Sequence, residues 1–259
     1  MPMQVPEDDE LRSFIYNVGF LHAAWSDTVL SIPNLPILRL HALFISQSPV
    51  LYHHLSTQTA NQGQYHISIE SKDPGLTAPA VSTALATLYG HPMDIHSCDY
   101  ATARAMLAAG SLLGLDKVTR QAYELLLKSL TPSLLPEFFA LAQCPSYVVG
   151  NDVQNAGPYP PYTQDLLAYL INYVFEHFDP LVLDETWKKL FKELPFDLYK
   201  QIIESPLLRV NNALERHNLA TALGRARNQP DEQVLLAFNN GTQGVQVVKK
   251  AKKRMQKSK

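Results

Sequence analysis

Between residues 28 and 69 the apolar side chains change period twice, and that double switch restricts the chain to a small sheet built together with helices. Residues 28–32 are rich in β-branched and apolar types, Pro33-Asn34-Leu35-Pro36 can only turn, and residues 37–40 resume the pattern, which predicts a hairpin. Helical spacing takes over at Leu43, Phe44, Val50 and Leu51, with Ser48 as an N-cap hydroxyl and Pro49 at the first helical position. After a polar loop over residues 56–64, Tyr65, Ile67 and Ile69 alternate with His66, Ser68 and Glu70, the pattern of a third strand with one buried face.

Helices surround this core. Val81, Ala84, Leu85 and Leu88 form one apolar stripe, closed by Gly90 and Pro92. A pair follows: one helix over about 100–113, ending at Gly114, and one starting at Asp116, an N-cap type, and stopping near Pro132. Ahead of the first strand, Leu11, Phe14, Ile15 and Val18 recur at i, i+3, i+4 and i+7, an apolar stripe on a leading helix.

That order of elements across residues 7–131 resembles a BTB/POZ domain. The wording Leu-His-Ala-Leu-Phe-Ile-Ser-Gln-Ser-Pro-Val-Leu from Leu40, with Leu-Leu-Gly-Leu-Asp at 112–116, is similar to BTB proteins of filamentous fungi. Asp27, after Ser26, and His41, which opens the second helix, match two positions of the family pattern near a small polar pocket. The resemblance implies an α+β fold with a small sheet capped by helices, and a two-fold homodimer in which Leu11, Phe14, Ile15 and Val18 face the partner.

Residues 132–162 read as a linker or insertion, because the stretch from Cys144 carries Pro145, Pro158, Pro160, Pro161, Gly150 and Gly157. From 163 to 238 the periodicity is helical: a broad apolar face from Leu166 to Phe178, a helix with Trp187, Leu190 and Phe191, and a last helix over about 210–226. Residues 194–208 resemble the BACK region that trails many BTB domains, which implies an all-α second half.

Residues 239–259 are expected to form a flexible basic tail. Lys249, Lys250, Lys252, Lys253, Arg254, Lys257 and Lys259 lie in its last eleven positions without one acid. The whole chain has 22 basic and 24 acidic residues, so the remainder carries 15 cations against 24 acids, a net of −9. Such a run suits a nuclear import signal or a solvated end. Direct nucleic-acid binding is not expected, since no aromatic side chain interleaves the cations and no DNA-reading motif is present.

Motifs that carry chemistry are missing. There is no Gly-x-Gly-x-x-Gly, P-loop, His-Glu-x-x-His, Cys-x-x-Cys or Gly-x-Ser-x-Gly, so no catalytic residue, cofactor or metal is expected. The segment His91-Pro92-Met93-Asp94-Ile95-His96-Ser97-Cys98-Asp99 gathers metal-binding types, but its spacing fits no closed tetrahedral site and it reads as a connector. No run approaches the roughly 18 apolar residues that span a membrane. Two cysteines and an acidic start, Pro6-Glu7-Asp8-Asp9-Glu10, suit an intracellular protein, cytoplasmic, nuclear or both.

The function implied is a non-enzymatic, dimerising adaptor that docks on a scaffold such as a cullin-type ubiquitin ligase and presents a substrate protein. The alternative is a nuclear regulator that reaches transcription or chromatin through partners. Cullin-binding members often carry a hydrophobic-x-Glu motif before the third strand, and residues 56–64 contain no acid.

Overall fold

The computed structural model describes residues 8–93, 98–145, 158–180, 182–237 and 244–250. They fall into two compact units, Met1–Leu130 with Pro145–Gln164, and Thr131–Cys144 with Asp165–Lys259.

The first unit opens with α1 (Asp8–Phe14), which widens into a π-helical stretch over Ile15–Leu21. Strands β1 (Thr28–Ser31) and β2 (Leu38–Leu40) form the hairpin, and β3 (Tyr65–Ser68) joins β1 in parallel, giving the order β2-β1-β3. The parallel pairing requires a crossover, and α2 (Ala42–Ile45) with α3 (Pro49–Thr57) supplies it. Ser48 caps α3 as the sequence implies: its hydroxyl accepts from the Leu51 amide at 3.1 Å and donates to the Leu113 carbonyl at 2.5 Å. One side chain thereby ends one helix and starts another.

Helices α4 (Ala78–Ala86), α5 (Tyr100–Leu112) and α6 (Asp116–Lys128) complete the layer. Gly110 lets α5 and α6 touch, since a Cβ there would stand 2.7 Å from Thr119 Oγ1 and 2.9 Å from its backbone nitrogen. Asp116 lies inside the first turn of α6 rather than at its N-cap, which is Leu115. Its carboxylate accepts instead from the Tyr162 hydroxyl at 3.1 Å.

Three expectations need correction. The stretch expected as a linker over 132–162 is divided between the units. A 3-10 turn (Pro132–Leu134) and α7 (Leu135–Ala142) are helical, and Leu135, Phe138, Phe139 and Leu141 are buried in the second unit. Pro136 sits in the first turn of α7, where its missing N–H costs nothing. At the other end of the stretch, Tyr159 is buried in the first unit, its hydroxyl donating to the Asp73 carboxylate at 2.5 Å.

The second unit is also not all-helical. After α8 (Leu166–His177), α9 (Glu185–Glu193), α10 (Phe196–Glu204) and α11 (Ala213–Arg227), the chain forms an antiparallel hairpin of β4 (Glu232–Ala237) and β5 (Gly244–Lys249). Part of the expected tail is therefore a strand. Val245 and Val247 are fully buried against α10 and α11, and the apolar surface they remove from water holds it there.

Two arginines on α11 organise this unit. Arg216 and Arg227 are eleven residues apart, three helical turns, and so share a face. The Arg216 guanidinium donates to the carbonyls of Ile203, Ser205 and Leu208, capping the end of α10. Arg227 donates to the carbonyls of Phe191 in the last turn of α9 and of Leu194 just after it, pairs with both Glu232 oxygens at 2.6 and 3.0 Å, and lies 4.5 Å over the Tyr199 ring. Glu232 is the first residue of β4, so this ion pair ties the hairpin to the helices.

Candidate functional site

Asp27 and His41 meet at the mouth of the crossover. The Asp27 backbone closes the start of the sheet, its N–H donating to Leu40 O at 3.2 Å and its C=O accepting from Tyr65 N at 2.8 Å. Its carboxylate Oδ1 accepts from the Ala42 amide at 2.7 Å and from the Thr28 hydroxyl at 2.9 Å. Ala42 is the first residue of α2, whose own N-cap residue, His41, supplies no side-chain cap. Asp27 is that cap, delivered from another strand, and a carboxylate suits the positive end of a helix.

His41 is bonded on three sides. Its backbone N–H donates to the Tyr89 hydroxyl oxygen at 2.9 Å. Its Nε2 lies 2.7 Å from the Ala24 carbonyl and its Nδ1 3.1 Å from the Tyr89 hydroxyl. A carbonyl only accepts, so Nε2 carries the proton, and the Tyr89 O–H donates to Nδ1. One tautomer thus gives both ring nitrogens, the Ala24 carbonyl and the Tyr89 hydroxyl a partner. Burial, with the Asp27 charge adding to it against the bond from His41, pushes the Tyr89 phenol up to about 12.

Rings close around this knot. Phe20 and Phe44 lie 5.0 and 4.6 Å from Tyr89 between centroids, and Tyr16 stacks on His91 at 4.0 Å. Tyr16 and Phe20 belong to the π-helical stretch, so the same cluster fixes the leading helix on the domain. Both bonds to Oδ1 come from the chain's own Ala42 amide and Thr28 hydroxyl, so the Asp27 carboxylate ties the start of β1 to the start of α2.

The expected stripe is split by the change of helix type. Leu11 and Phe14, on α1, are 47% and 54% exposed, whereas Ile15 and Val18 are half-buried. A π-turn holds more residues than an α-turn, so a stripe spaced for 3.6 residues drifts off one face. Sequence reasoning missed a second set of exposed apolar groups: Leu21, Trp25, which is 80% exposed, and Leu43 on α2. Ala23 and Trp25 both have positive φ, 50° and 57°, and the Ala24 carbonyl held by His41 lies between them. Neither residue type announces a left-handed conformation.

Of the basic run, Lys249 ends β5 with its ammonium 4.5 Å over the Phe196 ring, and the Lys250 amide donates to Asp231 O. Lys252, Lys253, Arg254, Lys257 and Lys259 lie outside the described residues. In the 91–99 segment, Asp94, Ile95, His96 and Ser97 also lie outside them. Asp99 caps α5 through the Thr102 amide at 2.8 Å, and its bonds from Thr102 hold its carboxyl below the usual range. Among the described residues no group of three His, Cys, Asp or Glu is placed to hold a metal, and no single helix is long and apolar enough to cross a membrane.

Two known proteins are similar to this chain. BTB/POZ domain-containing protein 2 of the fission yeast Schizosaccharomyces pombe is 30% identical over 258 residues, covering 92% of this chain and 86% of that protein. Protein germ cell-less of Drosophila melanogaster is 24% identical over 137 residues, covering 53% of this chain and 23% of that protein. No family model matches the chain.

Proposed function

The chain belongs to the BTB/POZ family, whose domains are protein–protein interaction modules, and on that premise we propose that it is a non-enzymatic, self-associating adaptor. The first unit joins two copies, and the second presents a partner protein. The observation that carries this reading is the exposure of Leu11 and Phe14 on a helix that the Tyr16, Phe20, Tyr89 and His91 rings hold in place. A rigid helix with large apolar groups turned to water suits a two-fold interface, the commonest form of self-association.

Docking on a cullin-type scaffold is the finer form of the proposal. The turn after α3 carries no acid, so such docking would use apolar contacts, for which Tyr52, 58% exposed on α3, is suited. A nuclear regulator acting through partners is the second reading, and the seven cations of residues 249–259 favour it. Both place the protein inside the cell. Capture of the tagged chain with identification of co-purifying proteins tests them: cullin subunits support the adaptor on a ligase, chromatin factors support the regulator. Recovery of the tagged chain with no second copy and no other protein contradicts both.

A further inference from the structure

The β4–β5 hairpin has two edges, and they are treated differently. Its register pairs Val234 with Val247, and the Val247 amide donates outward, to Glu204 Oε1 at 2.7 Å. Hydrogen-bonded and non-hydrogen-bonded pairs alternate in an antiparallel ladder, so Val234 and Val247 form a pair of the second kind. The bond from the Lys250 amide to Asp231 O, three residues away, fits the same alternation. The N–H and C=O groups of Val234 and Leu236 therefore point away from β5. Among the described residues nothing bonds to them, whereas Glu204 of α10 turns its carboxylate into the edge of β5.

The open edge also lacks the usual protection. Exposed edge strands are blunted by lysines, proline, a bulge or shortness. Strand β4 keeps an unbroken register over six pairs and holds no Lys or Pro. Its one charge, Glu232, is engaged by Arg227. Leu235 and Leu236 are 45% and 48% exposed.

A row of main-chain donors and acceptors at strand spacing accepts another extended chain, and β4 is complementary to itself. Antiparallel pairing about a two-fold axis at Leu235 sets Val234 of each copy opposite Leu236 of the other, as hydrogen-bonded pairs. Leu235 then faces Leu235 of the other copy across a non-hydrogen-bonded pair, Gln233 faces Ala237, and no like charges meet. We propose that the β4 edges of two copies pair in this register and join their hairpins into a four-stranded sheet. The proposal rests on the self-association reading. One six-residue pairing covers only part of the roughly 1,200 Å² that a lasting interface buries, so it forms between copies that α1 has joined.

The test is oxidation of Leu235→Cys by copper phenanthroline, in the full chain with Cys98→Ser and Cys144→Ser. The Cα atoms of a non-hydrogen-bonded pair stand about 4.5 Å apart, within disulfide reach. Gln233→Cys is the control: it lies on the same face and is also exposed, but the register sets it four residues, roughly 13 Å, from its counterpart. Leu235→Cys should cross-link into pairs at least about tenfold faster than Gln233→Cys. Equal rates, or no cross-link in Leu235→Cys, overturn the proposal, and the second result is also what an edge reserved for a strand of another protein gives. Light scattering before oxidation keeps the two readings apart. Dimers without the selective cross-link lose the strand pairing and keep the leading helix, and monomers that still cross-link selectively do the reverse.

Discussion

The Nε2 of His41 lies 2.7 Å from the carbonyl oxygen of Ala24, and this bond pins a turn in which the non-glycine residues on either side of Ala24, Ala23 and Trp25, adopt positive φ. Such conformations cost on the order of 1 kcal/mol or more each, and they persist where surrounding contacts over-determine them. The consequence is Trp25 turned outward, beside the sheet that Asp27 closes.

Replacing His41 with Ala removes both ring bonds, which leaves the Ala24 carbonyl without its ring donor and the Tyr89 hydroxyl with only the backbone N–H of residue 41. The expected loss is about 1–3 kcal/mol of stability, read from urea unfolding. Asp27→Asn is expected to cost an amount of the same order, because the Ala42 amide then faces a neutral cap. If both variants unfold at the wild-type urea midpoint, the knot has no structural weight.

Tyr89 makes stability fall in alkali. An ordinary tyrosine ionises near 10, and burial raises Tyr89 to about 12, so between these values the unfolded chain has lost a proton that the folded chain keeps. Stability is therefore whole below about pH 10 and declines as pH rises toward 12, by at most about 3 kcal/mol from this group. Comparing urea midpoints at both ends of that range checks it. Tyr89→Phe should flatten the decline in part, since burial shifts Tyr199 in the second unit the same way. An unchanged slope in Tyr89→Phe assigns the effect elsewhere.

Arg227→Lys gives up the paired bonds to Glu232 and at least one carbonyl of the α9 end. The ammonium keeps the charge, so the cost is that of the lost bidentate geometry and an unsatisfied buried carbonyl, about 1–3 kcal/mol, in the second unit alone. The chain has two tryptophans, Trp25 exposed in the first unit and Trp187 buried in the second, so Trp187 emission in a Trp25→Phe background reports the second unit. Its melting temperature should drop by several degrees in Arg227→Lys. An unshifted transition would show that the hairpin is held by Val245 and Val247 without the ion pair.

What was legible in the sequence follows from where the causes lie. The hairpin, the crossover and the capped helices of the first unit are written in local period and cap residues, as Ser48-Pro49 and Gly90 show. The partners of His41 are not: Tyr89 and Ala24 are 48 and 17 residues away, and nothing at either position marks a hydrogen bond to it. The switch to a π-helix at Ile15 left the stripe at Leu11, Phe14, Ile15 and Val18 looking continuous while it turned half of it inward. Strand β5 was hidden differently. Val245 and Val247 alternate with Gln246 and Val248 in strand period, but the lysines that follow drew the segment into a tail.

Self-association through the leading helix is the claim on which the adaptor reading stands, and multi-angle light scattering at micromolar concentration measures it most directly. The wild-type chain should return the mass of two copies. Phe14→Glu, which places a charge on the exposed face of α1 without touching the ring cluster, should return the mass of one copy with an unchanged circular dichroism spectrum. A wild-type mass of one chain, or a dimer that persists undiminished in Phe14→Glu, contradicts the account.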